Sequence, residues 1–432
     1  MDTEVRELGG GITLHAVQTS KFKTDSVYIN FILPFNRETV TRVSLLRGLL
    51  LRGCEGYPSF EKLSARTDEL YGADIVIDTS SYGDVLVLTV SSVYLADRFS
   101  VDGTDITGGV CDLLRRICFF PMTDAKGFIP EITKSEKMRL KDEIEAKIND
   151  KGGYAARRLA EEMFGSGCGA LSKLGYTEDL EKITSIGEYL FYRDLVKTAP
   201  VHVYTVGSLD AEQAEYYVTS IFDGVNRDCA GELSTGPCGG EGRESTRFVV
   251  EQMDVKQGKL AMGFRTTAVL SDNAAYAHML LMNEVFGTSP VSKLFTYVRE
   301  ELNLCYYCQS SYRSVIGALE VHAGIDQTNF RTALDAINEM LLAIRRGDFD
   351  DGELDAAKHS LISAIRTGAD SPRYIMTFML ARELCNVTDT PEALAERIAR
   401  AGREDVCRAA RCVEADTVYF LCGDKKAAEE LL

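Results

Sequence analysis

The chain repeats itself across a linker. Between Asn226 and Ser245 the segment NRDCAGELSTGPCGGEGRES is rich in Gly and polar residues and carries no apolar period, which is the composition of a connector. Before it, SVYINF (Ser26 to Phe31) alternates as a strand does; after it, KLAMGF (Lys259 to Phe264) does the same, each following a lysine-bearing polar turn. KLSARTDELYGADIVIDTSSYGD from Lys62 answers KLFTYVREELNLCYYCQSSYRS from Lys293, with Ser80, Ser81 and Tyr82 matched by Ser310, Ser311 and Tyr312. Each half closes on an apolar strand, a glycine turn and a helix: VHVYTVGSLDAEQAEYYV from Val201 and TVYFLCGDKKAAEELL from Thr417. Three stations in one order, the first two roughly 230 positions apart, imply a duplicated unit.

The expected fold is therefore α+β: two homologous α/β sandwich units, each a mixed sheet with helices on one face. The first spans 1–225, the linker 226–245 and the second 246–432. Apolar stripes at Val40, Val43, Leu46 and Leu50, and at Ala333, Ile337, Met340, Leu341 and Ile344, are the core faces of two such helices.

A formal net charge of -17 lacks the sign that nucleic acid or an anionic membrane surface would attract. The acidic start MDTEVRELGG shows neither a basic leader nor an apolar run, so the cytoplasm is the expected location. Twelve cysteines without a small-scaffold spacing suit a reducing compartment.

Catalytic constellations are scarce. The five histidines, His15, His202, His278, His322 and His359, include no pair within a helical turn, so no helix offers two imidazoles to a metal. Cys305 and Cys308 form a CxxC without a second pair; three apart in a strand, their thiols should face opposite sides of the sheet and serve as packing. An independent thiol enzyme built on Cys305 would need a histidine brought in from a distance. Ser289 and Pro290 start a helix on which Val291, Leu294, Phe295, Val298 and Leu302 share a face, and Asn303 stops it. Arg299 then sits in the last turn, and from Leu304 the chain alternates, with Leu304, Tyr306 and Cys308 on one face and Cys305, Tyr307 and Gln309 on the other.

GTSPVSKLFTYVREELNLCYYCQSSYRS, Gly287 to Ser314, resembles the second-half signature of pitrilysin- and insulinase-type zinc peptidases, including the bacterial members similar to mitochondrial processing peptidase. Ser292, Leu294, Phe295, Arg299, Glu300, Leu304 and Tyr306 match it, and FDDGELDAAKHSLISAIRTGADSP from Phe349 also looks like a family segment. In active members the first half carries H-x-x-E-H, two histidines for zinc and a glutamate as general base. Counting back from Gly53 places that motif on Ser44, Arg47 and Gly48, which supply neither imidazole nor carboxylate. The third ligand should fall around Asp142, Glu143 and Glu145. The resemblance thus implies a chain that holds no metal and does not hydrolyse peptides alone. It implies a non-catalytic subunit, with zinc on a homologous partner, and Arg299 and Tyr306 reaching a peptide substrate in trans. A two-unit chain resembles half of a four-unit clamshell, so a heterodimer with the zinc-bearing homologue, or a homodimer, is expected. The alternative is a structural or peptide-binding scaffold with no role in hydrolysis.

Overall fold

The structure is a computed structural model that describes every residue except 1, 230, 237–242, 244 and 425–432. By internal contacts the chain forms two units, each assembled from separated segments: Met1–Glu145, Ser172–Ser234 and Asp370–Ala381 in the first, Ala146–Leu171, Thr235–Ala369 and Arg382–Leu432 in the second.

The first unit is built on a six-stranded sheet of β1 (Asp2–Gly9), β2 (Ile12–Gln18), β3 (Thr24–Pro34), β4 (Asp74–Tyr82), β5 (Val85–Leu95) and β6 (Val201–Gly207), in the order β1-β2-β6-β3-β5-β4. The second has β7 (Arg247–Gln252), β8 (Gly258–Thr266), β9 (Cys305–Arg313), β10 (Ala318–Ile325) and β11 (Val413–Cys422), in the order β9-β10-β8-β11-β7. Reversed, the second order reproduces β2-β6-β3-β5-β4 strand for strand. It also reproduces the one parallel pairing, β2 with β6 and β7 with β11, among antiparallel neighbours. The recurrence in the sequence is therefore a recurrence in the fold. SVYINF lies in β3 and KLAMGF in β8, at equivalent central places, while Ser80–Tyr82 and Ser310–Tyr312 lie on the two edge strands, β4 and β9.

Alternation explains the strands and local chemistry the turns. The β9–β10 hairpin closes at Gly317, whose φ of +62° belongs to the left-handed region and whose missing Cβ leaves room for the Thr266 carbonyl 2.5 Å away.

Helices α1 (Arg37–Leu50), α2 (Pro130–Ala146) and α4 (Ser185–Thr198) belong to the first unit; α3 (Lys151–Phe164) and α5 (Phe330–Arg346) belong to the second. The Asn36 side chain caps α1 by accepting from the amides of Glu38 and Thr39, and Val40, Val43, Leu46 and Leu50 are buried as the stripe requires. In the second unit α5 lays Phe330 against Phe420 on one face of the sheet, with ring centroids 4.5 Å apart. Helix α3 covers the opposite face, packing Ala155, Leu159 and Met163 with Ala261, Tyr419 and Leu421. The helix expected after β11 lies outside the described residues.

Candidate functional site

In the first unit, Ser44, Arg47 and Gly48, the positions to which the resemblance assigns the zinc motif, carry other chemistry. Gly53 fixes the frame: its φ is +150°, and a Cβ there would lie 2.9 Å from the carbonyl carbon of Pro58, so α1 must end in a glycine turn. One turn earlier, the Arg47 guanidinium forms a forked pair with the Glu143 carboxylate, Nη2 standing 3.0 and 2.8 Å from its two oxygens. Ser44 donates its hydroxyl to the Lys173 carbonyl at 2.7 Å. Of the three acids expected near the third ligand position, only Glu143 meets α1; Asp142 and Glu145 are exposed, and Glu145 faces Lys141 at 3.8 Å.

Glu136 was not anticipated from the sequence, although its place seven residues before Glu143 puts both on one face of α2. Its carboxylate is buried, 2% exposed, and is held by Arg52 and by Arg139, the latter at 2.9 Å. The carboxylate occupies the space above Gly48: a Cβ on Gly48 would lie 2.1 Å from Oε2.

These residues do not fit zinc. The two imidazole positions that the resemblance assigns are a hydroxyl already donated and a hydrogen atom, the general-base position is a permanent cation, and the carboxylates nearest to them, Glu143 and Glu136, are bound by guanidinium groups. A cation bound here would have to break the Arg47–Glu143 pair and face the Arg47 charge. The arrangement can hold two helices together; it cannot activate water.

One consequence is measurable. Ala is normally the better helix residue by about 1 kcal/mol, yet Gly48→Ala should destabilise the protein by about 1–2 kcal/mol because it overpacks an anchored carboxylate. In a Glu136→Ala background the same substitution should become neutral or stabilising, a sign reversal readable from urea denaturation of the four proteins of the cycle.

In the second unit, the strongly matching segment folds differently from the expectation. The stretch Leu294–Glu301 is a π-helix, as is Glu284–Thr288 before it: the amide of Leu302 donates to the Tyr297 carbonyl five residues back, at 2.9 Å. It starts later than expected, with Ser292 rather than Ser289 at its entrance, the Phe295 amide donating to the Ser292 hydroxyl at 3.4 Å. The helix is shorter than the expected stripe. Leu294 and Val298 are buried, whereas Val291 and Leu302 are exposed. Asn303, at φ +49°, ends the helix as anticipated.

The strand that follows is bulged. Cys305 pairs with Ile325 and Tyr307 with Gly324, leaving Tyr306 as the extra residue. The bulge overturns the expected faces: Cys305 and Cys308 are both buried, on one side, while Tyr306 stands out at 78% exposure and its phenol makes no hydrogen bond among the described residues. Arg299 lies in the π-helix packed on this strand, its guanidinium over the Phe295 ring at 4.6 Å and Nε 3.4 Å from Glu300. The sequence-level pair is thus placed on two adjoining elements, one residue displayed by a π-turn and the other by a bulge. Both are irregularities that concentrate at functional places.

The family described as peptidase M16 inactive domain matches residues 189–361. Over 425 residues, 98% of this chain and 99% of the other, the sequence is 30% identical to the probable inactive metalloprotease YmfF of Bacillus subtilis (strain 168). The structure is similar to that of a conserved protein from Enterococcus faecalis V583, with a TM-score of 0.90, 26% identity, and 98% and 99% of the two chains covered. A peptidase M16 inactive domain from Pseudomonas fluorescens shares the fold with a TM-score of 0.79 at 16% identity, covering 98% and 99%. With a likeness that runs over nearly its whole length, this chain belongs to the peptidase M16 family, the pitrilysin and insulinase type, as an inactive member.

Proposed function

We propose that the protein is the non-catalytic subunit of a cytoplasmic peptidase, pairing with a zinc-bearing homologue and lending Arg299 and Tyr306 to peptide binding and transition-state stabilisation. One observation carries this reading: a tyrosine set out from its strand by a bulge, its phenol free of hydrogen bonds among the described residues, beside an arginine on an adjoining π-helix. A phenol and a guanidinium both donate to oxygen, which is what a peptide carbonyl needs as its charge grows in the transition state. The ion-paired remains of the zinc motif support the complementary half of the reading, that the metal belongs to another chain.

The test is an assembly of this chain with the zinc-bearing homologue, assayed on peptides. Arg299→Ala or Tyr306→Phe should lower turnover about a hundredfold while leaving the assembly intact by size-exclusion chromatography. Equal turnover in the parent and both variants would refute the proposal and favour a scaffold of the same fold.

A further inference from the structure

One face of α2 carries Glu136 and Glu143; another borders a cavity of about 440 Å³ within the first unit. The cavity lies between α2 and residues 177–185, which include the short helix Thr177–Lys182. Pro130, Thr133, Lys134, Lys137, Met138 and Lys141 line it from the α2 side. Steps of three and four keep them on one stripe, the spacing by which a helix packs against a neighbour. This stripe is open instead: Met138, in its middle, is 57% exposed, while Leu180 and Ile183 give the other side a buried apolar wall.

Lys137 fixes the width. Its Nζ donates to the Ile183 carbonyl at 2.7 Å and to the Glu181 carbonyl at 3.2 Å, so the end of the short helix is fastened to α2 and the cavity is preformed. The charge of the lining runs against that of the chain. Acidic residues outnumber basic ones by 65 to 48 overall, yet the cavity is lined by Lys134, Lys137 and Lys141 and by one acid, Glu181. Lys134 makes no ion pair among the described residues, and Lys141 faces Glu145 and Glu181 only at 3.8 and 3.9 Å. Lysine stems are apolar and their ammonium groups stay hydrated, so such a wall suits an alkyl chain with an anionic end.

We propose that this cavity binds an alkyl carboxylate, the anion of a medium-chain fatty acid, with its chain against Leu180, Ile183 and Met138 and its carboxylate at Lys134 and Lys141. The volume falls in the range of about 300–1,000 Å³ usual for small-molecule sites. The polar groups favour this ligand over a peptide. Peptide amides need acceptors, but the Glu181 and Ile183 carbonyls are occupied by Lys137, and the Thr133 hydroxyl is directed at the Ile129 carbonyl at 3.0 Å. A carboxylate only accepts and an ammonium only donates, so the two match.

The experiment is isothermal titration of the full chain with octanoate, octanol and octylamine, three ligands of one chain length and different head charge. Octanoate should bind at a single site about tenfold more tightly than octanol, the effect of one charge-assisted contact, and octylamine more weakly than either. Met138→Glu, which adds a carboxylate at an exposed position, should weaken octanoate about tenfold, whereas Met138→Leu should leave it unchanged. Replacing both Lys134 and Lys141 by serine should bring octanoate down to the affinity of octanol. Bound octanoate should slow amide hydrogen exchange in residues 133–141 and 177–185. Equal affinity of the parent for octanoate and octanol overturns the preference for an anion. Absence of octanoate binding, or binding that neither Met138→Glu nor the double serine variant alters, overturns the site. The parent titrations decide the anion preference even if a variant fails to fold.

Discussion

Raising the pH from 4.5 to 8 should remove on the order of 5 kcal/mol of stability through one side chain, Glu188. Glu188 lies on α4 in the first unit and is fully buried, and among the described residues neither carboxylate oxygen receives a hydrogen bond. Arg42, on α1, is the nearest cation, with Nη1 3.5 Å from Oε2, but that nitrogen donates to the Gly187 carbonyl at 3.1 Å. Burial therefore outweighs attraction and pushes the carboxyl from 4.5 up to about 8, with Arg42 and then Lys137 pulling in the other direction.

The sign follows from counting protons. Below pH 4.5 both folded and unfolded chains hold this proton, and the contribution is fully present. Between 4.5 and 8 the unfolded chain releases it while the folded chain keeps it, so stability falls as pH rises. Urea midpoints of the parent at pH 5, 7 and 9 should therefore descend relative to those of Glu188→Gln, which has nothing to titrate at this position. Parallel curves would show that the carboxyl ionises normally. Glu188→Met serves as a second comparison, since it replaces an unsatisfied buried acid with an apolar chain of similar length.

How much of this was legible in the sequence depends on whether the signal was periodic. The duplication was legible because strand and helix periods survive where identities do not: β3 and β8, or β4 and β9, share few residues but occupy the same places in their sheets. The inactive character of the chain was legible at Ser44 and Gly48, which supply no imidazole where the resemblance asks for two. The ion pairs around those positions were not. Nothing in the spacing of Arg47 and Glu143, or of Arg52 and Glu136, announces an ion pair, although the heptad step from Glu136 to Glu143 puts both acids on one face.

The segment with the strongest resemblance departs furthest from its sequence pattern in local structure. Alternation from Leu304 predicts a regular strand, and a single inserted residue at Tyr306 reverses every face on one side of it. The preceding helix departs from expectation too: a stripe at Val291, Leu294, Phe295, Val298 and Leu302 fits an α-helical period, but the chain forms a shorter π-helix over Leu294–Glu301, and Val291 and Leu302, beyond its ends, are exposed. A bulge and a π-turn each add one residue to a regular element. Period-based reading has no term for that, and these two insertions set the positions of Tyr306 and Arg299.

A second large effect of opposite sign should come from His15. This residue of β2 is 1% exposed, its ring stacked on Tyr204 with centroids 4.3 Å apart, and its Nε2 lies 3.2 Å from Nδ1 of His202 on the neighbouring β6. Only one proton fits between those nitrogens, so the pair is stable with both rings neutral. Burial, and then repulsion from His202, lowers His15 from 6.5 to about 3; burial also lowers His202. Above pH 6.5 the ring is neutral in both states and its contribution is fully present. As the pH falls from 6.5 towards 3 the unfolded chain takes up a proton that the folded chain refuses, and stability drops, again by on the order of 5 kcal/mol for His15. Denaturation of His15→Phe beside the parent should show the two curves diverging on the acid side, with the parent losing more. Between pH 4.5 and 6.5 the Glu188 and His15 contributions oppose each other, one proton released on unfolding against one taken up. The single replacements should therefore tilt the stability profile in opposite directions within that window: Glu188→Gln makes stability rise more steeply with pH, and His15→Phe makes it fall. Tilts of the same sign would mean that one of these two buried groups is not in the protonation state its surroundings impose.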